Sequence, residues 1–206
     1  MIGLPTETDE DVVGITDLGQ KVVDWYYEAE NRQKGKRPAV TVSAAAFVPK
    51  PFTPFQWCGQ DTIETLEQKQ KLLRSSSTSR KVTVNYHGAQ TRFLEAVFAR
   101  GDRKLNAVLL EAHKRGMRFD GWGDCFDFDA WMQVFADLGI DPAFYANRQR
   151  SFDEVLPWDI IDIGVTKAFL RRERDKAYEG KTTPSCAENC SGCGANKLGG
   201  KNKWCR

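Results

Sequence analysis

The sequence predicts an α/β fold in which short strands alternate with crossover helices and then give way to a mostly helical stretch. Three observations predict it. Runs rich in β-branched and small apolar residues alternate with helix-periodic segments as far as Tyr86. Beyond Tyr86 every periodic segment has helical spacing. The chain has 206 residues, 41% of them hydrophobic, which is enough to bury a core. Its 30 basic and 28 acidic residues nearly cancel, which argues against disorder. No apolar run approaches the ~18 residues of a membrane span. No basic segment followed by an apolar one stands at Met1, so no secretory signal is read and a cytoplasmic location is expected.

Taken in order, Met1-Ile-Gly-Leu-Pro5 reads as the end of a buried strand running into a loop. Thr8 is the expected N-cap of the first helix, with Asp9, Glu10 and Asp11 where carboxylates suit the helix dipole. Val12, Ile15, Val22 and Tyr26 carry that helix to about Arg32, and Lys34-Gly35-Lys36 breaks it. Ala39 to Phe47 predicts a second strand, buried on both faces. Pro49, Pro51 and Pro54 then impose a stiff loop. A helix from Asp61 to Arg74 and a Ser75-Ser76-Ser77 linker follow, and Lys81 to Tyr86 predicts a third strand. The helices expected next run from Ala89 to Arg100, Arg103 to Arg115, Asp129 to Leu138 and Gly164 to Tyr178. Gly101, Gly116 and Gly139 stand where a C′ glycine ends a helix. Three strands cannot close a barrel, so the order fits the latter part of an α/β barrel or an open parallel sheet with a neighbour missing.

Charge and cysteine are distributed unevenly. From Phe119 to Ile163 ten acids face only Arg148 and Arg150, a net of −8. From Lys167 to Arg206 ten bases face four acids, a net of +6. Such blocks are usually solvated or face each other, and a basic tail also makes RNA a candidate partner. Cys58 and Cys125, beside Trp57 and Phe126, are expected to be small core residues. Cys186, Cys190, Cys193 and Cys205 cluster in the last 21 positions, where reduced thiols more often bind metal than form disulfides. Lys50 and His113 are expected to be solvated, and His87 to be a turn residue at the end of the third strand. Trp122, Phe126, Phe128, Trp131 and Phe135 are expected to be helical core. Arg100-Gly101-Asp102 reads as a helix stop followed by a cap.

Several stretches carry a resemblance. Met1-Ile-Gly-Leu-Pro-Thr-Glu-Thr8, followed by an acidic helix start, resembles a strand and loop of radical S-adenosylmethionine enzymes, as does Phe47 to Trp57. Leu94 to Arg103, Leu156 to Val165 and Thr183-Pro184-Ser185-Cys186 resemble a narrower group. Its members carry an N-terminal cobalamin-binding domain and a long extension after the barrel. The resemblance implies the C-terminal portion of such a protein: a partial (β/α) barrel with its last strands only at residues 1–88, a helical extension at 89–180 and a cysteine-rich tail at 181–206. It implies that Gly3, Pro5 and Glu7 border the S-adenosylmethionine pocket, at a strand's C-terminal end where such barrels place their sites. It also implies a 4Fe-4S cluster and cobalamin as cofactors of the intact protein. The cluster loop, C-x3-C-x2-C, and the cobalamin domain are then expected upstream of Met1 as the partners of this portion. The portion alone is expected to be inactive, and no catalytic residue is assigned within it.

Cys186-x3-Cys190-x2-Cys193 repeats the spacing of that catalytic loop, but only 13 residues follow Cys193, too few to complete a barrel. A separate tail site is the expected reading, with Cys205 as the fourth ligand for zinc or an auxiliary iron–sulfur cluster. Relatives often carry a further cysteine soon after the one matching Cys193, where this sequence has Gly194-Ala195-Asn196. A metal-binding module that contacts RNA or protein, without catalysis, is the alternative.

Overall fold

The computed structural model describes residues 1–32 and 35–195. Its elements are α1 (Asp9–Glu28), β1 (Val40–Ala44), α2 (Ile63–Ser76), β2 (Val82–Tyr86), α3 (Ala89–Ala99), α4 (Leu105–Lys114), α5 (Phe128–Asp137), α6 (Pro142–Ala146) and α7 (Lys167–Tyr178). The fold is mixed α/β and mostly helical. The chain divides into two compact units, Met1–Val48 with Gln60–Glu95, and Pro49–Gly59 with everything from Ala96 onward. The proline loop thus belongs to the second unit, and α3 passes from the first into the second.

In the first unit β1 and β2 pair in parallel, Val40 opposite Val82 and Ala44 opposite Tyr86. Ile2 joins them through a parallel bridge to Ala46, donating its N–H to Ala45 and accepting from Phe47. Three segments therefore run parallel in chain order, with α1 and α2 as the connections that parallel pairing requires. Ile2, Val12, Ala44, Ala46, Leu66 and Leu73 form the core between sheet and helices. The expectation that the second strand is buried on both faces is corrected. Val40 and Val42 are half-buried, but Thr41 and Ser43 are exposed, as are Thr83 and Asn85 opposite them. Among the described residues the helices cover one face and leave a polar one open.

Helix α1 starts as its sequence dictates. Thr8 Oγ1 accepts from the Asp11 N–H, and the Asp11 carboxylate accepts from the Thr8 N–H at 2.9 Å, a reciprocal capping box. The helix ends at Glu28 rather than Arg32, where Ala29 turns extended. Its Gly19 lies against the sheet: a Cβ there would meet Val42 Cγ2 at 2.9 Å and Val82 Cγ1 at 3.1 Å. That absence of a side chain lets the helix axis approach the strands.

In the second unit, Trp57, Leu156, Trp158 and Leu170 form one core cluster. Gln56, fully buried, accepts from the Trp158 indole at 2.7 Å and from the Phe52 N–H at 3.0 Å. Trp131, Val134 and Phe135 bury one side of α5, and Phe98 meets the Trp131 ring edge-on. Arg100 is 0% exposed. Its guanidinium donates to the carbonyls of Ala146 at 2.5 Å and Arg148 at 3.0 Å, while Arg150 donates to the Arg100 carbonyl at 2.7 Å. Burial and the neighbouring Arg150 and Arg148 charges push the Arg100 pKa down to about 10, so it stays charged at neutral pH.

Several expectations need correction here. Cys58 is buried, but Cys125 is exposed, because it sits in the turn-rich stretch before α5. In the same stretch Trp122 is 72% exposed and outside any core. Gly116 and Gly139 do take the positive φ of a C′ glycine, but Gly101 does not. Gly101 answers a packing need instead, since a Cβ would stand 2.2 Å from Leu105 Cδ1. The short α6, capped by Asp141 with Pro142 in its first turn, was not anticipated.

The two glycines of α1 separate propensity from packing. Gly14 meets nothing within 4 Å, so Gly14→Ala is expected to stabilise by about 0.5–1 kcal/mol. Gly19→Val is expected to destabilise by about 1–3 kcal/mol through overpacking. Urea unfolding of both variants checks the pair, and a Gly19→Val chain as stable as the parent would refute the close-approach account.

Candidate functional site

Parallel sheets place ligands beyond the carboxyl ends of their strands, so the loops after Ile2, β1 and β2 are the first place to look. Gly3 follows Ile2 with φ +85°, a conformation favouring glycine, and a Cβ there would meet Leu66 Cδ2 at 3.0 Å. Its N–H donates to Glu7 Oε1 at 2.7 Å. The Glu7 N–H returns to the Leu4 carbonyl at 3.0 Å, closing a tight loop around half-buried Pro5. The Glu7 side chain is only 4% exposed and pairs with Lys69 Nζ at 3.0 Å, which also holds Asp61 at 2.8 Å. Burial works against the Lys69 charge. The hydrogen bonds and charges of Asp61 and Glu7 outweigh it and hold its pKa above the ordinary lysine value.

The structure therefore brings Gly3, Pro5 and Glu7 into one loop and gives Glu7 a second role. Thr8 and Asp11 cap the helix, while Glu7 ties the strand-end loop to α2 through Lys69. Sequence reasoning missed Lys69 and Asp61. Both lie on the α2 side, and no local pattern links them to a residue more than fifty positions earlier. Beyond β1 and β2, Ser43, Ala44, Ala45, Asn85, Tyr86 and His87 line a cavity of about 310 Å³. Its lining residues carry two hydroxyls, an amide and an imidazole. His87 is exposed there, and its carbonyl accepts from Gln70 at 2.9 Å. Lys50 is an exposed residue of the second unit whose carbonyl accepts from Thr53. His113 is exposed in the last turn of α4, as expected.

The cysteine tail is the second candidate. Thr183 anchors its start to α7: its hydroxyl donates to Glu173 and accepts from Lys176 Nζ at 2.9 Å. The Thr183 hydrogen bond, helped by Lys176, holds the Glu173 carboxyl below the usual glutamate range. Further on, the Thr166 N–H at the head of α7 donates to the Cys193 carbonyl at 2.9 Å, and Arg172 donates to Ser191. Gly194 packs so closely that a Cβ would meet the Gly164 carbonyl at 2.8 Å. The Cys193 sulfur accepts from the Ala195 N–H at 3.5 Å. Cys186 and Cys190 are exposed and Cys193 is half-buried, while Cys205 lies outside the described residues. Among the described residues no three His, Cys, Asp or Glu side chains gather closely enough to hold a metal ion. Nor is any helix among them long and apolar enough to cross a membrane.

Comparison with known proteins gives little beyond this. No family model matches the chain, and no solved structure matches it. Over 109 residues the chain is 28% identical to an uncharacterized protein of Methanocaldococcus jannaschii, MJ0966. The match covers 53% of this chain and 22% of that protein, so the chain spans well under two thirds of the relative's length.

The Lys69 bridge yields a test with a defined pH signature. Lys69→Met leaves Glu7 and Asp61 without their cation and is expected to cost about 1–3 kcal/mol at pH 7. Because the folded pKa of Lys69 is raised, its contribution is complete below the ordinary lysine pKa. That contribution fades as pH rises through the folded value. Denaturant unfolding from pH 7 to 11 should therefore show the variant and parent converging at the alkaline end. A gap that widens with pH would refute the assignment.

Proposed function

We propose that this chain is the C-terminal portion of a radical S-adenosylmethionine iron–sulfur protein of the cobalamin-binding group, contributing the last strands of a partial (β/α) barrel. One observation carries the reading. The first unit's parallel segments carry helices on one face and expose Thr41, Ser43, Thr83 and Asn85 on the other. In a barrel of this type that inner face is lined by side chains from every strand, and the strand-end loops make the site. The order of the resembling motifs along the chain supports the same reading.

In the intact family a reduced 4Fe-4S cluster and S-adenosylmethionine supply a 5′-deoxyadenosyl radical, with cobalamin as the second cofactor. In this reading the cluster loop and cobalamin domain come from sequence preceding Met1 and are the chain's partners. Gly3 and Glu7 spend their hydrogen bonds on each other and on Lys69, so they shape the rim of the cofactor pocket. Pro5 stiffens that rim. Ser43, Asn85 and His87 supply the polar groups at the other strand ends. The protein works in the cytoplasm, and the chain alone does not cleave S-adenosylmethionine.

The tail supports a second, compatible reading as a metal-binding segment. Its observation is the docking of Cys193 and Gly194 on the head of α7, with an N–H directed at the Cys193 sulfur. Here Cys186, Cys190, Cys193 and Cys205 hold zinc or an auxiliary iron–sulfur cluster.

The coding DNA upstream of the Met1 codon is the decisive observation for the first reading. An in-frame C-x3-C-x2-C and cobalamin domain are expected, and an in-frame stop just upstream would overturn it. Purified chain, reconstituted anaerobically with iron and sulfide, is expected to retain iron or zinc, lose it in Cys186→Ser and Cys193→Ser, and form no 5′-deoxyadenosine. Formation of 5′-deoxyadenosine would make the tail triplet catalytic, and absence of both metals at stoichiometric level would sink the tail site.

A further inference from the structure

A groove of about 700 Å³ runs along α7 in the second unit, beside the cysteine tail, with which it shares Arg172 and Lys176. Lys167, Arg171, Arg172, Lys176 and Lys181 line it, against only Asp175 and Glu179. From Lys167 to Lys176 the basic row on α7 is about 14 Å long at 1.5 Å per residue. A surface of this length and sign suits a polyanion better than a single small anion.

Two of these cations are pre-set. The Arg171 guanidinium carbon stands 4.1 Å from the centre of the Phe152 ring, and that of Arg172 stands 5.2 Å from the centre of Phe169. These cation–π contacts hold each guanidinium in place and lower the ordering cost of binding, and Arg171 keeps N–H donors for bidentate contact with phosphate. Arg171 has no carboxylate within salt-bridge distance among the described residues; Arg172 meets Glu173 only at a loose 3.9 Å and gives one terminal nitrogen to the Ser191 carbonyl, which leaves its other N–H groups for phosphate. The flanking lysines are differently placed. Lys167 pairs with Asp159, Lys176 with Glu173 at 3.1 Å, and Lys181 with Glu179 at 2.6 Å. The Lys181–Glu179 pair is exposed and holds about 0–1 kcal/mol, little enough for a phosphate to displace, whereas the carboxylates of Asp159 and Glu173 are mostly buried.

We propose that the α7 groove binds single-stranded nucleic acid through its phosphates, with Arg171 and Arg172 as the principal contacts. A single strand spaces its phosphates more widely than the ~3.4 Å rise of a stacked duplex, so the row spans about three of them. Phe152 is already covered by Arg171 and Arg174, which leaves no free ring there for a base to stack on. Binding is accordingly indifferent to base sequence. The inference does not depend on the barrel reading.

The test uses the full chain and a fluorescein-labelled 15-nucleotide RNA, followed by anisotropy from 50 to 300 mM salt. With about three phosphates neutralised, the log–log salt slope is expected near −2. The double variant Arg171→Gln with Arg172→Gln should weaken binding at least tenfold and flatten that slope by about 1.4. Arg171→Lys with Arg172→Lys, which keeps the charge without the fork, should fall between, with the parent's far-ultraviolet circular dichroism retained. Lys21→Gln, on exposed α1, should change nothing. Unchanged binding in the Gln variant, or equal competition by a polyglutamate peptide, would overturn the proposal.

Discussion

The second unit depends on a buried cation that has no buried carboxylate to answer it. Arg100 is fully enclosed, and carbonyl oxygens rather than acids accept from its two terminal nitrogens, while its Nε has no partner among the described residues. Those carbonyls, on Ala146 and Arg148, lie at the end of α6, where a helix leaves acceptors without intrahelical donors. Arg150 closes the circuit by donating its side chain to Arg100 and its own N–H to Trp57. Two arginines thereby hold together the end of α3, the segment after α6 and the proline loop. A charge taken out of water tolerates no loose geometry, so these segments are fixed relative to each other much more tightly than apolar contact alone would fix them.

The motifs that carry the family resemblance turn out to hold the fold together. Gln56 joins Phe52 to Trp158, Asp159 accepts from the Leu156 N–H at 2.7 Å, and Thr183 joins the tail to α7. Each of these residues belongs to a resembling stretch, and each spends its polar atoms inside the second unit. At these positions the residues that carry the resemblance serve packing. The functional reading therefore leans on the other unit, where polar side chains line an open face and surround a small cavity.

Much of the first unit was legible because its signals are local. A threonine before three acids sets a cap, alternating Val-Thr-Val sets a strand, and clustered prolines exclude both. The strand faces are not legible, because short apolar runs say nothing of how many layers will cover them. Buried Gln56, Arg100 and Arg150 were illegible for a different reason. Periodicity reads apolar side chains, whereas these polar ones are buried by partners up to 102 positions away. The α6 signal, Asp141 before Pro142, was present, but five residues are too few to show a period. At the candidate site the loop glycine and glutamate were visible, but the lysine that gives Glu7 its role was not. The cysteine spacing was plain, but spacing carries no information on whether thiols converge.

The open sheet has a further consequence for how the protein behaves in solution. Among the described residues β2 pairs only with β1; Ser77 and Ser79 take the carbonyl and N–H of Val82, so the part of its outer edge open to another strand begins at Val84. Unprotected edges of β-branched strands recruit other strands, and Arg80 and Lys81 at the entry to β2 are the nearby charges that oppose this. Self-association at high concentration would then be the same backbone chemistry that completes a sheet, satisfied by the wrong neighbour.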